Sequence, residues 1–169
     1  LSLHDALPIY SMESVGNWAF YNCTSLQYVN IPTQLENLGF YSFYDCTALD
    51  TNIYDTGVYL PSGENDYCAL LWNTSLSITS CNIYSETEFI YTGAFYECSQ
   101  LTSITIPSTV KQIGDYAFYN CTSLISADLS ACDKLLELQE YTFANCTAVT
   151  TVKLNNNLTK IGPSCFDYC

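Results

Sequence analysis

The chain has 169 residues, 49% of them hydrophobic and 12% charged, and a formal net charge of −13. This length and apolar content allow a buried core and argue against an intrinsically disordered chain. With four lysines and no arginine, it lacks the cations that contact phosphates, so we expect no nucleic-acid partner. No apolar run approaches the roughly 20 residues of a membrane span, so we expect no direct membrane insertion.

The first nine residues do not fit the rest of the chain. The segment Leu1–Ile9, LSLHDALPI, resembles the translation of a sequencing-adapter oligonucleotide, so we interpret residues 1–9 as an artefact. His4, the only histidine, lies in this segment, and without it no histidine remains for a catalytic or metal site. Residues 10–169 are predicted to form a single domain, truncated at both ends.

A 23-residue repeat is centred on the octapeptide AFYNCTSL, which occurs at 19–26 and again at 117–124. Its aromatic residue recurs with gaps of 23, 52, 23, 25 and 23 residues, and a cysteine follows three places later. The aromatic residues are Phe20, Phe43, Phe95, Phe118, Phe143 and Phe166. The cysteines, here called the cysteine column, are Cys23, Cys46, Cys98, Cys121, Cys146 and Cys169. Such periodicity predicts a solenoid, in which each coil buries its apolar face against the next.

Each repeat contains a strand signal and a bend signal. In the copy that begins at Ala94, the stretch LTSITI alternates apolar and polar residues and is rich in β-branched side chains, which predicts a short strand. Pro107 follows that strand, where a missing N–H does not disturb the ladder. Gly114 marks a bend that favours a residue without Cβ. The coil that begins at Cys121 has a two-residue insertion near SACDK and lacks the proline.

The longest gap, between Phe43 and Phe95, is irregular. The stretch ALLWNTSL at 69–76 matches AFYNCTSL, with Leu70 in the aromatic place and Asn73 in the cysteine place. This match predicts a further coil and about seven coils in all. Residues 53–93 are predicted to form an irregular coil with a loop, YDTGVYLPSGENDY, that leaves the solenoid.

The unit A-F-x-x-C-x-x-L-x-x-I-x-I-P resembles the BspA-like leucine-rich repeat, and the resemblance covers residues 15–169. It implies a leucine-rich-repeat solenoid of right-handed coils with a parallel concave β-sheet of short strands. Turns, short 3-10 segments or short strands are expected on the other side. The resemblance also implies a cell-surface or secreted protein that acts in adhesion.

The cysteine column recurs once per coil, whereas metal ligands converge from a few positions, often at C-x-x-C spacing. We therefore interpret these thiols as packing residues, in preference to vertical disulfides or a catalytic or metal site. No catalytic, cofactor-binding or metal-binding residue is assigned. Cys68 and Cys81 bracket the irregular coil and are candidates for a local disulfide if the protein is exported.

The outward face of the concave sheet is the candidate binding face, because strand alternation places rows of polar side chains there. Its residues are Tyr28, Asn30, Ser103, Thr105, Ser126, Asp128, Thr151 and Lys153. This hydroxyl-rich face suits a protein or glycan ligand, such as one on a host surface. A second candidate is the aromatic set that flanks the Ala-Phe pair, with stabilisation of neighbouring coils as the favoured alternative. These residues are Trp18, Tyr21, Tyr41, Tyr44, Tyr96, Tyr116, Tyr119 and Tyr141.

The sequence thus predicts a non-enzymatic module for protein interaction or adhesion, located outside the cell or on its surface and needing no cofactor. Two alternatives remain open. The chain could be a spacer or stalk segment of a larger surface protein, or a repeat region attached to an enzyme outside this window. If changes to the concave face abolish capture of a partner, the interaction module is favoured over the spacer.

Overall fold

The structure is a computed structural model that describes residues 12–169. This part of the chain consists of short strands and tight turns and contains no helix, and therefore no helix that could cross a membrane. The strands are β1 (Ser14–Val15), β2 (Asn37–Leu38), β3 (Asn52–Tyr54), β4 (Gly57–Ser62), β5 (Asn65–Asn73), β6 (Ser80–Asn82), β7 (Phe89–Ile90), β8 (Ser103–Thr105), β9 (Gln112–Ile113), β10 (Ser126–Asp128), β11 (Glu137–Leu138), β12 (Thr151–Lys153) and β13 (Lys160–Ile161). The segment Leu1–Ile9 lies outside the described residues.

From residue 78 onward the chain winds as a regular solenoid with two strands in each coil. The first strands are β6, β8, β10 and β12, and the second strands are β7, β9, β11 and β13. β6 pairs with β8 and β10 with β12 in the first set, and β7 pairs with β9 and β11 with β13 in the second. All four pairs are parallel, and Cys81, for example, lies opposite Ile104. β10 pairs with β12 at a spacing of 25 residues and β11 with β13 at 23. The two-residue insertion near SACDK is therefore taken up in the connection from β10 to β11.

Each coil turns sharply at its A-F-x-x-C segment. In the coil of Phe118, Tyr116 and Asn120 adopt left-handed φ values of 56° and 60°. The Phe118 N–H donates to the carbonyl of Thr142 in the next coil at 2.8 Å. The thiol of Cys121 donates to the phenylalanine carbonyl of the preceding coil at 3.2 Å. The turn is thus held by hydrogen bonds from both neighbouring coils.

The recurring phenylalanines form stacks of rings. The ring centroid of Phe118 lies 4.9 Å from that of Phe95 and 5.0 Å from that of Phe143, with interplanar angles of 11° and 4°. All three side chains are fully buried. The same stacking, at 5.1 Å, joins Phe20 to Phe43 in the first two coils. Burial of these rings is a large apolar contribution to the stacking of the coils.

An antiparallel β-meander interrupts the solenoid between residues 52 and 73. β3 pairs with β4 and β4 with β5, and Ser62 lies opposite Asn65 across a two-residue turn. Gly63 in that turn has a φ of 57°, which favours glycine. β5 then pairs in parallel with β7 and so joins the second strands. The stretch predicted as a loop that leaves the solenoid instead forms the strands of this meander, which joins the sheet through β5.

The predicted turn at 69–76 differs from the structure. Residues 69–73 belong to β5, and Leu70 lies opposite Ile90, in a second-strand position instead of the phenylalanine place. The physical reason is that the apolar run CALL, residues 68–71, buries all of its side chains, as an interior strand does. Six turns with paired left-handed residues occur within residues 12–169, and none of them lies at 69–76.

β5 separates two clusters of buried side chains within the described part of the chain. Ala69 and Leu71 belong to the cluster of the first two coils, which includes Phe43. Leu70, between them, belongs to the cluster that runs through the later coils and includes Ile90. Successive residues of a strand point to opposite faces, so residues 69–71 of β5 contribute one face to each cluster.

Side chains from the second strands hold the first two coils in place. Gln112 Nε2 donates to the Leu38 carbonyl, and the Leu38 N–H donates to Gln112 Oε1, both at 2.8 Å. The Lys111 ammonium lies 2.7 Å from a Glu88 carboxylate oxygen and 4.0 Å from one of Glu36. The first two coils therefore lie beside the outer face of β9 and contact it through side chains instead of a backbone ladder.

Candidate functional site

The first strands of the later coils carry six of the predicted face residues. Ser103 and Thr105 lie on β8, and their counterparts on β10 and β12 are Ser126 with Asp128 and Thr151 with Lys153. All six side chains are exposed. Ser126 lies opposite Thr151 and Asp128 opposite Lys153, so these residues form the regular rows of short polar side chains that strand alternation predicts. We call this surface the strand face.

Tyr28 and Asn30 are not part of these rows. Both are exposed, but residues 28–30 form no strand, and Asn30 Oδ1 accepts a hydrogen bond from the Gly63 N–H at 3.5 Å. The hairpin of β4 and β5 lies next to this segment of the first coil. Its insertion between the early and later coils is the physical reason that the predicted face is not continuous.

An ion pair links the two last rows of the strand face. Lys153 Nζ donates to Asp128 Oδ2 at 2.8 Å, and the Ser130 hydroxyl and N–H donate to Asp128 Oδ1 at 2.6 and 3.1 Å. The hydrogen bond from Lys153, followed by those from Ser130, lowers the pKa of the Asp128 carboxyl to about 2. The carboxylate is therefore ionised throughout the physiological range.

We expect an NMR titration of the Asp128 carboxyl to give a pKa well below that of an ordinary aspartate, and Lys153→Met to raise it. Because the folded-state pKa is depressed, any stability from this group is present above the unfolded pKa near 3.8 and is lost as pH falls through about 2. An unchanged Asp128 pKa in Lys153→Met would contradict the ion pair as its cause. Lys134→Met is the matched control, since Lys134 lies off this row.

A cleft of about 720 Å³ lies at the junction between the first two coils and the hairpin. Tyr41, Tyr44 and Asp45 line it from the turn of the second coil. Trp72 lines it from the end of β5, and Tyr96 from the turn that follows β7. We call it the aromatic cleft. Its volume is in the range of ordinary small-ligand sites.

Tyr91 links the two sides of the aromatic cleft by hydrogen bonds. Its side chain is buried, and its hydroxyl oxygen accepts hydrogen bonds from the Phe43 N–H at 2.7 Å and the Ser42 hydroxyl at 3.4 Å. Burial raises the pKa of the Tyr91 hydroxyl to about 12. A neutral, hydrogen-bonded hydroxyl thus ties the turn of the second coil to the segment that precedes Tyr96.

The rim of the aromatic cleft is formed by rings that face solvent. Tyr44, Trp72 and Tyr96 are 50%, 42% and 41% exposed. Sequence reasoning named Tyr41, Tyr44 and Tyr96 only as members of the repeated aromatic set, and it did not identify Trp72. No local pattern could have grouped them, because the hairpin brings the two turns together.

The buried cysteines of the column have the environment of packing residues. Cys46, Cys121, Cys146 and Cys169 each donate from Sγ to the phenylalanine carbonyl of the preceding coil, at 3.0 to 3.2 Å. Cys98, Cys121 and Cys146 are fully buried. Burial raises the pKa of the Cys98 and Cys146 thiols to about 11 and about 12. Raised pKa values and buried sulfur disfavour nucleophilic chemistry.

We expect thiol labelling of the folded protein at pH 8 to modify the half-buried Cys23 and the exposed Cys169 first. Cys98, Cys121 and Cys146 should react only on unfolding. The raised folded-state pKa values also imply stability that is intact below the unfolded pKa near 9 and is lost as pH rises through about 11 to 12. Mass spectrometry of the labelled protein would locate the adducts, and rapid labelling of Cys121 in the native state would contradict this account.

Cys68 and Cys81, the candidate pair for a local disulfide, are not bonded to each other in the structure. Both are free thiols, as are the other cysteines. Cys68 belongs to the buried cluster of the first two coils and Cys81 to that of the later coils. The two thiols therefore lie in different cores, and Cys81 interacts with the Thr56 hydroxyl at 3.4 Å.

Among solved structures, the chain resembles three leucine-rich repeat proteins. One from T. pallidum is 24% identical with a TM-score of 0.51, over 94% of this chain and 69% of that one. One from Bacteroides ovatus is 28% identical with a TM-score of 0.48, over 95% of this chain and 39% of that one. A leucine-rich cell surface protein from Faecalibacterium prausnitzii is 23% identical with a TM-score of 0.44, over 86% of this chain and 52% of that one. The comparison with curated proteins found no match.

The family comparison agrees with the repeat and the fold. The model of the BspA type leucine-rich repeat region matches in six copies, over residues 6–64 and 65–169. Its first residues overlap the end of the segment Leu1–Ile9. The six copies accord with the six turns that carry paired left-handed residues. The chain therefore belongs to the BspA-type leucine-rich repeat family.

Proposed function

We propose that the chain is a non-enzymatic protein-recognition module of a cell-surface or secreted protein, and that it binds its partner through the strand face. The observation that carries this proposal is the regular exposure of polar side chains along β8, β10 and β12. Short hydroxyl side chains leave the strand backbone accessible to a partner and provide hydrogen-bonding groups at fixed spacing. Such a rigid, laterally extended surface is how solenoid repeats recognise other molecules.

The location rests on family membership and on one similar protein. The F. prausnitzii protein that the chain resembles is a cell surface protein, and this chain spans 52% of its length. A passive spacer is the alternative, and it requires no particular chemistry on the strand face.

A binding experiment separates recognition from spacing. The chain would be tested by surface plasmon resonance against a panel of immobilised serum and matrix proteins. Thr105→Arg with Thr151→Arg places two bulky cations on the strand face, and Ser108→Arg with Asn156→Arg is the matched control on exposed residues between strands. Recognition predicts a response that falls at least about tenfold in the first variant only, which corresponds to about 1.4 kcal/mol. A response to no panel protein, or equal responses from both variants, would favour the spacer.

A further inference from the structure

We propose that the aromatic cleft is a second binding site, separate from the strand face, and that its ligand is a protein segment presenting a lysine or arginine side chain. The cleft lies where two turns from different coils face each other across the end of β5. Its walls are aromatic, and the charge on its lining is a single carboxylate. Each of these points has a structural basis.

The walls belong to two separately packed parts of the molecule. Tyr44 and Asp45 come from the second coil, whose core includes Phe43, whereas Tyr96 follows the Phe95 that heads the later ring stack. A hydrogen bond of 2.7 Å from the Phe43 N–H to the Tyr91 hydroxyl ties the turn of the second coil to the segment before Tyr96. The cleft is thus preformed, which lowers the ordering cost of binding.

The aromatic residues that line the cleft are of the kind that bind cations. Tyr41 and Tyr44 lie 4.7 Å apart between centroids at an interplanar angle of 58°, so they present ring faces in different directions. Trp72 adds the aromatic side chain that attracts cations most strongly. The molecule already contains such a contact elsewhere, since Lys111 Nζ lies 4.9 Å from the centroid of the Phe89 ring.

The charge of the cleft favours the same ligand. Asp45 lines it and is exposed, and no lysine lines it in the part of the chain that the structure describes. Lys111, Lys153 and Lys160 each form an ion pair with a carboxylate that does not line the cleft. A chain with a net charge of −13 also attracts a basic segment over longer range. An anionic ligand would meet repulsion, and a neutral glycan would leave the Asp45 charge unused.

The slot that Asp45 occupies allows a mild test. The equivalent left-handed position is occupied by Asn22, Asn120 and Asn145 in other coils, with φ values of 57°, 60° and 61° against 62° for Asp45. Asp45→Asn therefore removes the charge and keeps a side chain suited to this backbone conformation. Asp133→Asn, at an exposed site outside the cleft, is the matched charge control.

The experiment uses the fluorescence of Trp72 to detect binding in the cleft. In a Trp18→Tyr background, which gives residue 18 the side chain found at Tyr41 and Tyr116, Trp72 is the remaining tryptophan. Its emission would be followed during titration with acetyl-Gly-Ser-Arg-Ser-Gly-amide. The same peptide with citrulline, the uncharged analogue of arginine, tests the cation, and maltohexaose tests a neutral glycan.

We expect saturable changes with the arginine peptide and affinity at least about fivefold lower with citrulline, as a cation–aromatic contact of about 1 kcal/mol implies. Asp45→Asn should weaken arginine binding by about threefold, and Asp133→Asn should leave it unchanged. A second test is Tyr96→Ala in the other wall of the cleft, with binding of the arginine peptide measured by calorimetry. Equal affinity for arginine and citrulline peptides, saturation by maltohexaose alone, or no binding of any probe would overturn the proposal. None of these readouts depends on the strand face, so they do not decide the proposed function.

Discussion

Replacing Phe118 by alanine is expected to lower the free energy of unfolding by about 3 to 5 kcal/mol. The ring is fully buried between those of Phe95 and Phe143, at centroid distances of 4.9 and 5.0 Å. Its removal leaves a cavity in the middle of the ring stack and deprives both neighbours of a stacking partner. Urea denaturation followed by circular dichroism would measure the change.

The control for this variant is Phe166→Ala in the last coil. Phe166 is half-buried and stacks on Phe143 at 5.5 Å, and within the described residues that is its stacked ring neighbour. We expect a loss at most about half that of Phe118→Ala, because the transfer and cavity contributions both scale with burial. Equal losses would show that the ring stack does not carry the stability assigned to it.

Replacing Gly39 by alanine is expected to destabilise the first two coils by about 1 to 3 kcal/mol or more. A Cβ at this position would overlap the backbone of Gly16 and lie 2.5 Å from the backbone nitrogen of Asn17. Backbone atoms cannot move aside as a flexible side chain would, so the coils must separate locally. The measurement is again the midpoint of urea unfolding, together with amide exchange of residues 12–49.

Gly16 provides a matched comparison within the same repeat position. A Cβ there would meet no atom within 4 Å. Gly16→Ala should therefore leave stability within about 0.5 kcal/mol of the parent. If Gly16→Ala and Gly39→Ala had the same effect, close backbone approach between coils could not be the reason that this position holds glycine.

The repetitive part of the fold could be predicted from sequence because its signals are local and recur. A phenylalanine and the cysteine three places later mark each of the six tight turns in residues 12–169, and the stretch LTSITI contains β8. The position of the insertion near SACDK also followed from the change in spacing. In a solenoid, neighbouring coils repeat the same contacts, so a correct reading of one coil extends to the others.

The hairpin could not be predicted from the repeat. The stretch ALLWNTSL matches the turn in sequence, but an apolar run of this length is equally suited to a buried strand. The pairing of β5 with β4 decides between the two, and the turn at Gly63 makes that pairing possible. A short Ser-Gly-Glu-Asn connection between two apolar runs was the local signal for a hairpin.

The two candidate sites also differ in how far the sequence predicts them. The six residues of the strand face follow from strand alternation, which is a property of each coil. The aromatic cleft depends on contacts between residues far apart in sequence, such as the Tyr91 hydroxyl with Phe43 and Gln112 with Leu38. Periodicity contains no information on such contacts, because they arise where the repeat is broken.

The division of the interior by β5 has a consequence for cooperativity. Residues 12–49 pack against one face of β5, and the later coils pack against the other. Two neighbouring cores that share one strand can open as separate units, so the first coils can exchange their amide protons through partial unfolding while the ring stack from Phe95 onward persists. The aromatic cleft spans the seam between these units. A ligand that contacts Tyr44 and Tyr96 together would then suppress partial unfolding of the first coils. It would make the two units unfold more cooperatively.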